Sequence, residues 1–370
     1  MTNTQVSTAR KFAVAAFSGV VALSLMLPTQ LAFADYNVGD QTYSGTEDKS
    51  GEGSEGGTWS YTAEGQEMTL VDYVGAAISA TEQDLNIQLE GDNKVESRIN
   101  VQGGNLTITG DSSVYGENKP GLTITESARD AENAKEYANY KSNGYISATS
   151  NYRSEDKDGK GSVTIKDVNL AFETDQASIS AQNGDLTIQD SKIDPSSDGT
   201  LSISATGRDN GNTIEKDVLL KGSEITATSV HASGTLTIDN TNLTVNKPSD
   251  WDETNKSMLE WYKRNFNYDY KWLEHAVSAT KIVLKGEENG TVVDAVDHLG
   301  KAYQYLTTGS DDKIELKASS TPAYWGGTKG MPATGDATMP LAVGLSITAM
   351  AAAGFVLYSR KSAYAGKHVK

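Results

Sequence analysis

Aromatic rings, carboxylates and histidines are the side chains of this 370-residue chain with chemistry to offer, and their spacing favours binding over catalysis. Trp251, Trp261 and Trp272, three of the five tryptophans, share one stretch with Tyr262, Phe266, Tyr268 and Tyr270. Such faces stack on the apolar side of sugar rings, with neighbouring Asp, Asn and Lys bonding the hydroxyls. The same rings on an amphipathic helix would instead cover an open end or side of a core. Asp156, Asp158, Asp190, Asp194, Asp209 and Asp217 supply hard oxygens of the kind Ca²⁺ takes, although no segment has the EF-hand spacing or a Gly-rich calcium nonapeptide. Ca²⁺ is therefore the one cofactor these residues suggest. The four histidines (His231, His275, His298 and His368) form no cluster in sequence, and neither Gly-x-Ser-x-Gly nor His-Glu-x-x-His occurs. With no cysteine, thiol catalysis, zinc–thiolate sites and disulfides are excluded. The expectation is a protein that binds and is not an enzyme.

The elements that must position these residues are short β-type runs. A motif of Gly, any residue, Leu or Val, Thr or Ser, and Ile recurs at 104–108, 161–165, 184–188, 199–203 and 234–238, with a shortened copy at 121–124. Several runs pass through a polar bend into another apolar position, as in Ile165-Lys166-Asp167-Val168-Asn169-Leu170 and Ile188-Gln189-Asp190-Ser191-Lys192-Ile193. Leu and Ile alternating with Thr put one face inward and one outward. A small polar residue or Gly after the last inward position permits a sharp bend. Strand, bend, strand, repeated, is the requirement of an all-β, right-handed parallel β-helix in which each strand pairs with its equivalent in the next coil. An antiparallel sandwich would instead call for hairpin signals. Helical insertions are expected at about 127–141, with Ala131, Ala134 and Ala138 on one face, and at about 250–275. The β-helix should span 58–318, after a flexible acidic Gly/Ser-rich segment at 35–57 and before a linker at 319–330.

The two ends carry processing signals. Arg10 and Lys11, an apolar run over 12–27 and the small-x-small sequence ending at Ala34 make residues 1–34 a signal peptide, with the mature chain starting at Asp35. At the other end, Met331-Pro332-Ala333-Thr334-Gly335 precedes an uncharged run over 337–359 and then Arg360, Lys361, Lys367 and Lys370. An apolar run of this length can cross about 30 Å of hydrocarbon as a helix, and the basic tail would stay on the cytoplasmic side. Residues 336–370 are thus a transmembrane span with its basic tail. In this order the segments resemble the sorting signal of Gram-positive wall proteins, with Met331 in place of the usual leucine. The resemblance implies a sortase that attacks the Thr334 carbonyl, releases Gly335 onward and passes the chain to an amine of the peptidoglycan cross-bridge. The protein would then be extracellular and covalently wall-attached, with the membrane involved only before sorting.

Removing both ends takes away six of the 32 Lys and Arg and one of the 49 Asp and Glu, leaving a net charge of −22 on residues 35–334. That surface repels phosphate backbones, so nucleic acid is an unsuitable partner. Asn105-Leu106-Thr107-Ile108, Asp185-Leu186-Thr187-Ile188 and Thr235-Leu236-Thr237-Ile238 with their bends, and Leu85 to Asn93, resemble carbohydrate-binding β-helix domains of wall-anchored proteins. The implied role is a non-catalytic adhesin that binds polysaccharide or host glycoprotein, with Trp251, Trp261 and Trp272 as candidate contacts. The alternatives are a structural subunit of a wall fibre or pilus and, with less support, a polysaccharide-cleaving β-helix enzyme.

Overall fold

The computed structural model describes residues 34–326 apart from 138–140, 151–159, 196–198, 210–211, 249–255, 257–259, 261–274, 298–299 and 309–312. The processing signals expected at the two ends (apart from Ala34), the sorting pentapeptide expected at 331–335 and the three clustered tryptophans lie outside the described residues, as do Asp156, Asp158 and the side chain of Asp209. Of the insertion expected at 250–275, Lys256 and Glu260 are described as helical. Among the described residues no helix is long and apolar enough to cross a membrane.

The strands join in one extensive, mostly parallel sheet system of three ladders. In the first, Leu85–Glu90 pairs with Leu106–Thr109, and the series continues through Val163–Lys166, Leu186–Gln189, Val218–Lys221 and residues 235–239. The second runs through Asp92–Glu96, Gly121–Thr125, Asn169–Glu173, Lys192–Pro195, Glu224–Ala227 and Asn242–Asn246. The third runs through Ile78–Thr81, Arg98–Gln102, Asn143–Thr149, Gln176–Gln182, Thr200–Asp209 and residues 229–232. The chain visits the ladders in turn, so each strand pairs with its counterpart one circuit later.

Inward positions stack like on like. Ile87, Ile108, Ile165, Ile188, Leu220 and Ile238 form one buried row. On the third ladder Ala148, Ala181, Ala205, Ala232 and Ala279 form a second, where small side chains let that wall sit close to the core. The motif copies are not equivalent: those opening at Gly104, Gly161, Gly184 and Gly234 enter the first ladder, Gly121 the second, and Gly199 the third. At Gly104, Gly161 and Gly184 a methyl group would collide with the backbone of the neighbouring circuit, and at Gly234 with the Asp217 carboxylate and the Lys216 backbone. Backbone packing between circuits is therefore what demands the glycine.

The bends lie where the polar residues suggest. Asp167 (φ 59°), Asp190 (φ 50°), Gly222 (φ 58°) and Asn240 (φ 47°) turn the chain from the first ladder to the second in the left-handed conformation that Asn, Asp and Gly tolerate. The 57-residue gap between Ile108 and Ile165 includes, besides the strands Gly121–Thr125 and Asn143–Thr149, helix α1, Ala128–Glu136, opened by a reciprocal capping box between Ser127 and Asp130. It lies inside the helix expected at 127–141.

Two expected boundaries are corrected. Residues 35–57 are not a flexible segment. Asp35–Val38 and Gln41–Ser44 form a hairpin that pairs antiparallel with Ile78–Thr81. Lys49–Glu52 pairs with Gly56–Thr62, which pairs with Glu67–Gly75. The Gly-rich composition reflects close approach: a methyl on Gly51 would meet the Trp59 indole at 2.8 Å. Residues 319–326 are likewise no free linker. The Ser319 N–H donates to the Gly286 carbonyl (2.7 Å) and the Tyr324 N–H to the Gly222 carbonyl (2.8 Å), strapping the chain back along the first-to-second corner.

Candidate functional site

Short polar side chains organise the corner leading into the first ladder. The Asn105 N–H donates to Asp84 Oδ1 (2.8 Å), the Ser162 N–H to Asn105 Oδ1 (3.0 Å) and the Asp185 N–H to Ser162 Oγ (3.1 Å). The series continues with the Asp217 N–H to Asp185 Oδ1 (2.9 Å) and the Thr235 N–H to Asp217 Oδ1 (2.7 Å). The residue after the motif glycine, variable in type, thus serves as acceptor or donor between circuits. The signal in the sequence is that Asn105, Ser162, Asp185 and Thr235 are all short and polar.

Asp217 is accordingly engaged in the backbone lattice, Asp190 forms a bend, and Asp194 lies 3.5 Å from the Lys192 ammonium. The structure does not bring these three together as a calcium site. Among the described residues no group of three or more His, Asp or Glu side chains is placed to hold a metal ion.

Histidine chemistry is similarly dispersed. His231 is buried, with Nδ1 3.0 Å from Ser278 Oγ, and burial pushes its imidazole down to about 3, aided by the charge of His275. His275 itself stacks on Tyr305 with ring centroids 3.7 Å apart.

Aromatic side chains gather in two places. At the N-terminal end Tyr36 stacks on Tyr61 (4.0 Å between centroids) and meets Trp59 edge-on (6.2 Å). All three are buried, and they cover the first circuit, so this cluster is an end cap. Elsewhere, burial together with the charge of Glu96 pushes the Tyr73 phenol up to about 12.

The second gathering is open to solvent. Tyr115 is 42% exposed and Trp325 43%, from segments far apart in sequence. Each ring lies against a glycine beside the other: a methyl on Gly116 would meet Trp325 at 2.7 Å, and one on Gly326 would meet Tyr115 at 3.4 Å. Both glycines have positive φ, at 60° and 77°. Trp325 Nε1 donates to Glu224 Oε2 (2.7 Å), and the Trp325 ring packs edge-on against Tyr324 at 4.8 Å between centroids. Tyr324 is buried, and its hydroxyl donates to Asn169 Oδ1 at 2.6 Å.

Beneath Tyr115, the Lys119 ammonium lies 5.8 Å from the ring centroid and 2.7 Å from Asp167 Oδ1, with the two charged side chains 1% and 4% exposed. Beside the rings, Lys192 bridges Glu117 Oε1 (2.9 Å) and Asp194 Oδ2 (3.5 Å). The result is an aromatic ledge on a corner, bordered by carboxylates, with no nucleophile–base pair among its described residues. Comparison with protein-family models, with curated proteins and with solved structures gives no match.

Proposed function

We propose that this chain is a secreted adhesin, displayed on a Gram-positive cell wall through sortase attachment at Thr334, that binds glycan without cleaving it. Its body is a right-handed parallel β-helix. The three parallel ladders with one strand per circuit support that architecture, and the handedness follows from the general preference of parallel crossovers. The order of pentapeptide, apolar run and basic tail over 331–370 supports the anchoring.

The observation that carries the binding role is the half-exposed pair Tyr115 and Trp325, locked by positive-φ glycines and the Glu224 hydrogen bond. Preorganised rings stack on sugar faces with little side-chain entropy left to lose. The ledge lies just upstream of the attachment motif, with five residues between Trp325 and Met331.

Two measurements test this. Thr334→Ala should move the protein from the covalently bound wall fraction to the membrane or medium; retention in the wall would refute the anchoring. The mature chain on a broad glycan array should bind at least one class and lose that binding on Trp325→Ala. A blank array would refute the binding role.

A further inference from the structure

The charges around the ledge restrict what stacks there. Glu117 is 64% exposed and Asp194 42% at the side chain, and Glu224 holds the indole. Glu117 and Asp194 share the Lys192 ammonium. Lys192 is held above its ordinary range chiefly by its hydrogen bond to Glu117, with further attraction from Asp194, Glu117 and Glu224. The same three carboxylates, after burial, hold the Tyr324 phenol protonated. The nearby Lys119 is withdrawn into its buried pair with Asp167 and offers nothing to a ligand.

An acidic sugar on the rings would therefore meet three carboxylates only partly offset by the Lys192 ammonium, and the net −22 of residues 35–334 would oppose its approach. A sugar bearing an ammonium would find carboxylates at the rim and aromatic faces that attract cations.

Resting on the glycan-binding reading above, we infer that the Tyr115–Trp325 ledge takes a glycan of amino sugars whose amines are free, the ammonium lying against Glu117 and Asp194 while the ring stacks on the indole.

The test uses the mature chain and three probes: a glucosamine hexamer, its N-acetylated counterpart and a cellulose hexamer, each titrated calorimetrically at mildly acidic pH. The glucosamine hexamer should bind most tightly, by about tenfold, and weaken as salt is raised. The Glu117→Gln/Asp194→Asn variant, whose changes leave the rings in place, should lower that affinity severalfold; Trp325→Ala should abolish it. Unchanged thermal unfolding of the charge variant confirms that the fold is kept.

Equal binding of all three hexamers, lost on Trp325→Ala, would overturn the ammonium inference and leave the glycan-binding reading standing. Glucosamine binding that survives both variants would show diffuse attraction to an acidic surface and overturn the ledge as its site. Failure to bind any of the three, with a positive result on the wider array, would overturn this inference alone.

Discussion

Lys119 and Asp167 show how one ion pair commits a corner. Their 2.7 Å contact is shielded from water, so removing Lys119 leaves the buried Asp167 carboxylate with only the half-exposed Lys166 ammonium, 3.9 Å from Oδ2. Lys119→Met should cost about 3–5 kcal/mol in denaturant unfolding, and adding Asp167→Asn should recover much of it. Asparagine also tolerates the positive φ at this bend. His231 makes the opposite commitment, to neutrality. Its folded imidazole titrates near 3 against an ordinary 6.5, so the unfolded chain binds a proton first as pH falls. Stability should therefore decline as pH drops through 6.5 toward 3, and His231→Asn should flatten that window in a thermal-unfolding series. Neither partnership is written in sequence proximity. Lys119 meets Asp167, and His231 meets Ser278, only because successive circuits stack.

At the scale of elements, the first-to-second corner is a ladder of hydroxyls. The Val168 N–H donates to Ser191 Oγ (3.3 Å), Ser191 N–H to Ser223 Oγ (3.2 Å), Ser223 N–H to Thr241 Oγ1 (3.4 Å) and Thr241 N–H to Glu287 Oε1 (3.2 Å). Glu287 ends the ladder and belongs to the short strand Glu287–Glu288, which holds Lys313–Ala318 just before the strap. Burial pushes its carboxyl up to about 7, against the lowering by the Thr241 and Lys285 N–H groups and with the repulsion of Asp239. A carboxyl raised in the folded state binds its proton there first, so its contribution falls as pH rises from about 4.5 to 7. Glu287→Gln should remove that slope and stabilise the chain above pH 7 by roughly 1 kcal/mol, a figure reduced for the group's partial exposure. Urea midpoints at either end of the window measure it. The bends of this corner were legible in the sequence, because Asp, Asn and Gly after an alternating run have a local conformational meaning. The hydroxyl ladder was not, since each of its bonds joins residues in different circuits.

For the whole molecule the critical surfaces are the two ends, where a stack of parallel ladders would otherwise expose core and unpaired backbone. The N-terminal hairpins lay Tyr36, Trp59 and Tyr61 over the first circuit. Lys313–Ala318, running antiparallel to Asn242–Asn246, covers the second ladder at the other end. A chain lacking residues 35–57 should expose Trp59 and Tyr61 and the unpaired edge of Ile78–Thr81 and self-associate, read as a shift to larger species in size-exclusion chromatography. A monomer as stable as the chain of residues 35–334 would show that these hairpins cap nothing.

By itself the sequence determined the alternation of inward and outward residues, the corner bends, the motif glycines and the helix start at Ser127. These follow from backbone conformation and periodicity over a few residues. The proposal of processing at 1–34 and 331–370 likewise rests on composition and order alone. Only the tertiary structure decided that the Gly-rich stretch at 35–57 is an ordered cap and that residues 319–326 are a strap. It also decided that repeats alike in sequence occupy three ladders, and that Tyr115 and Trp325 share one ledge. Each of these rests on contacts between residues distant in the chain, and the physical reason is the winding itself: which side chains meet depends on how many residues each circuit consumes, and the irregular insertions vary that length from one circuit to the next.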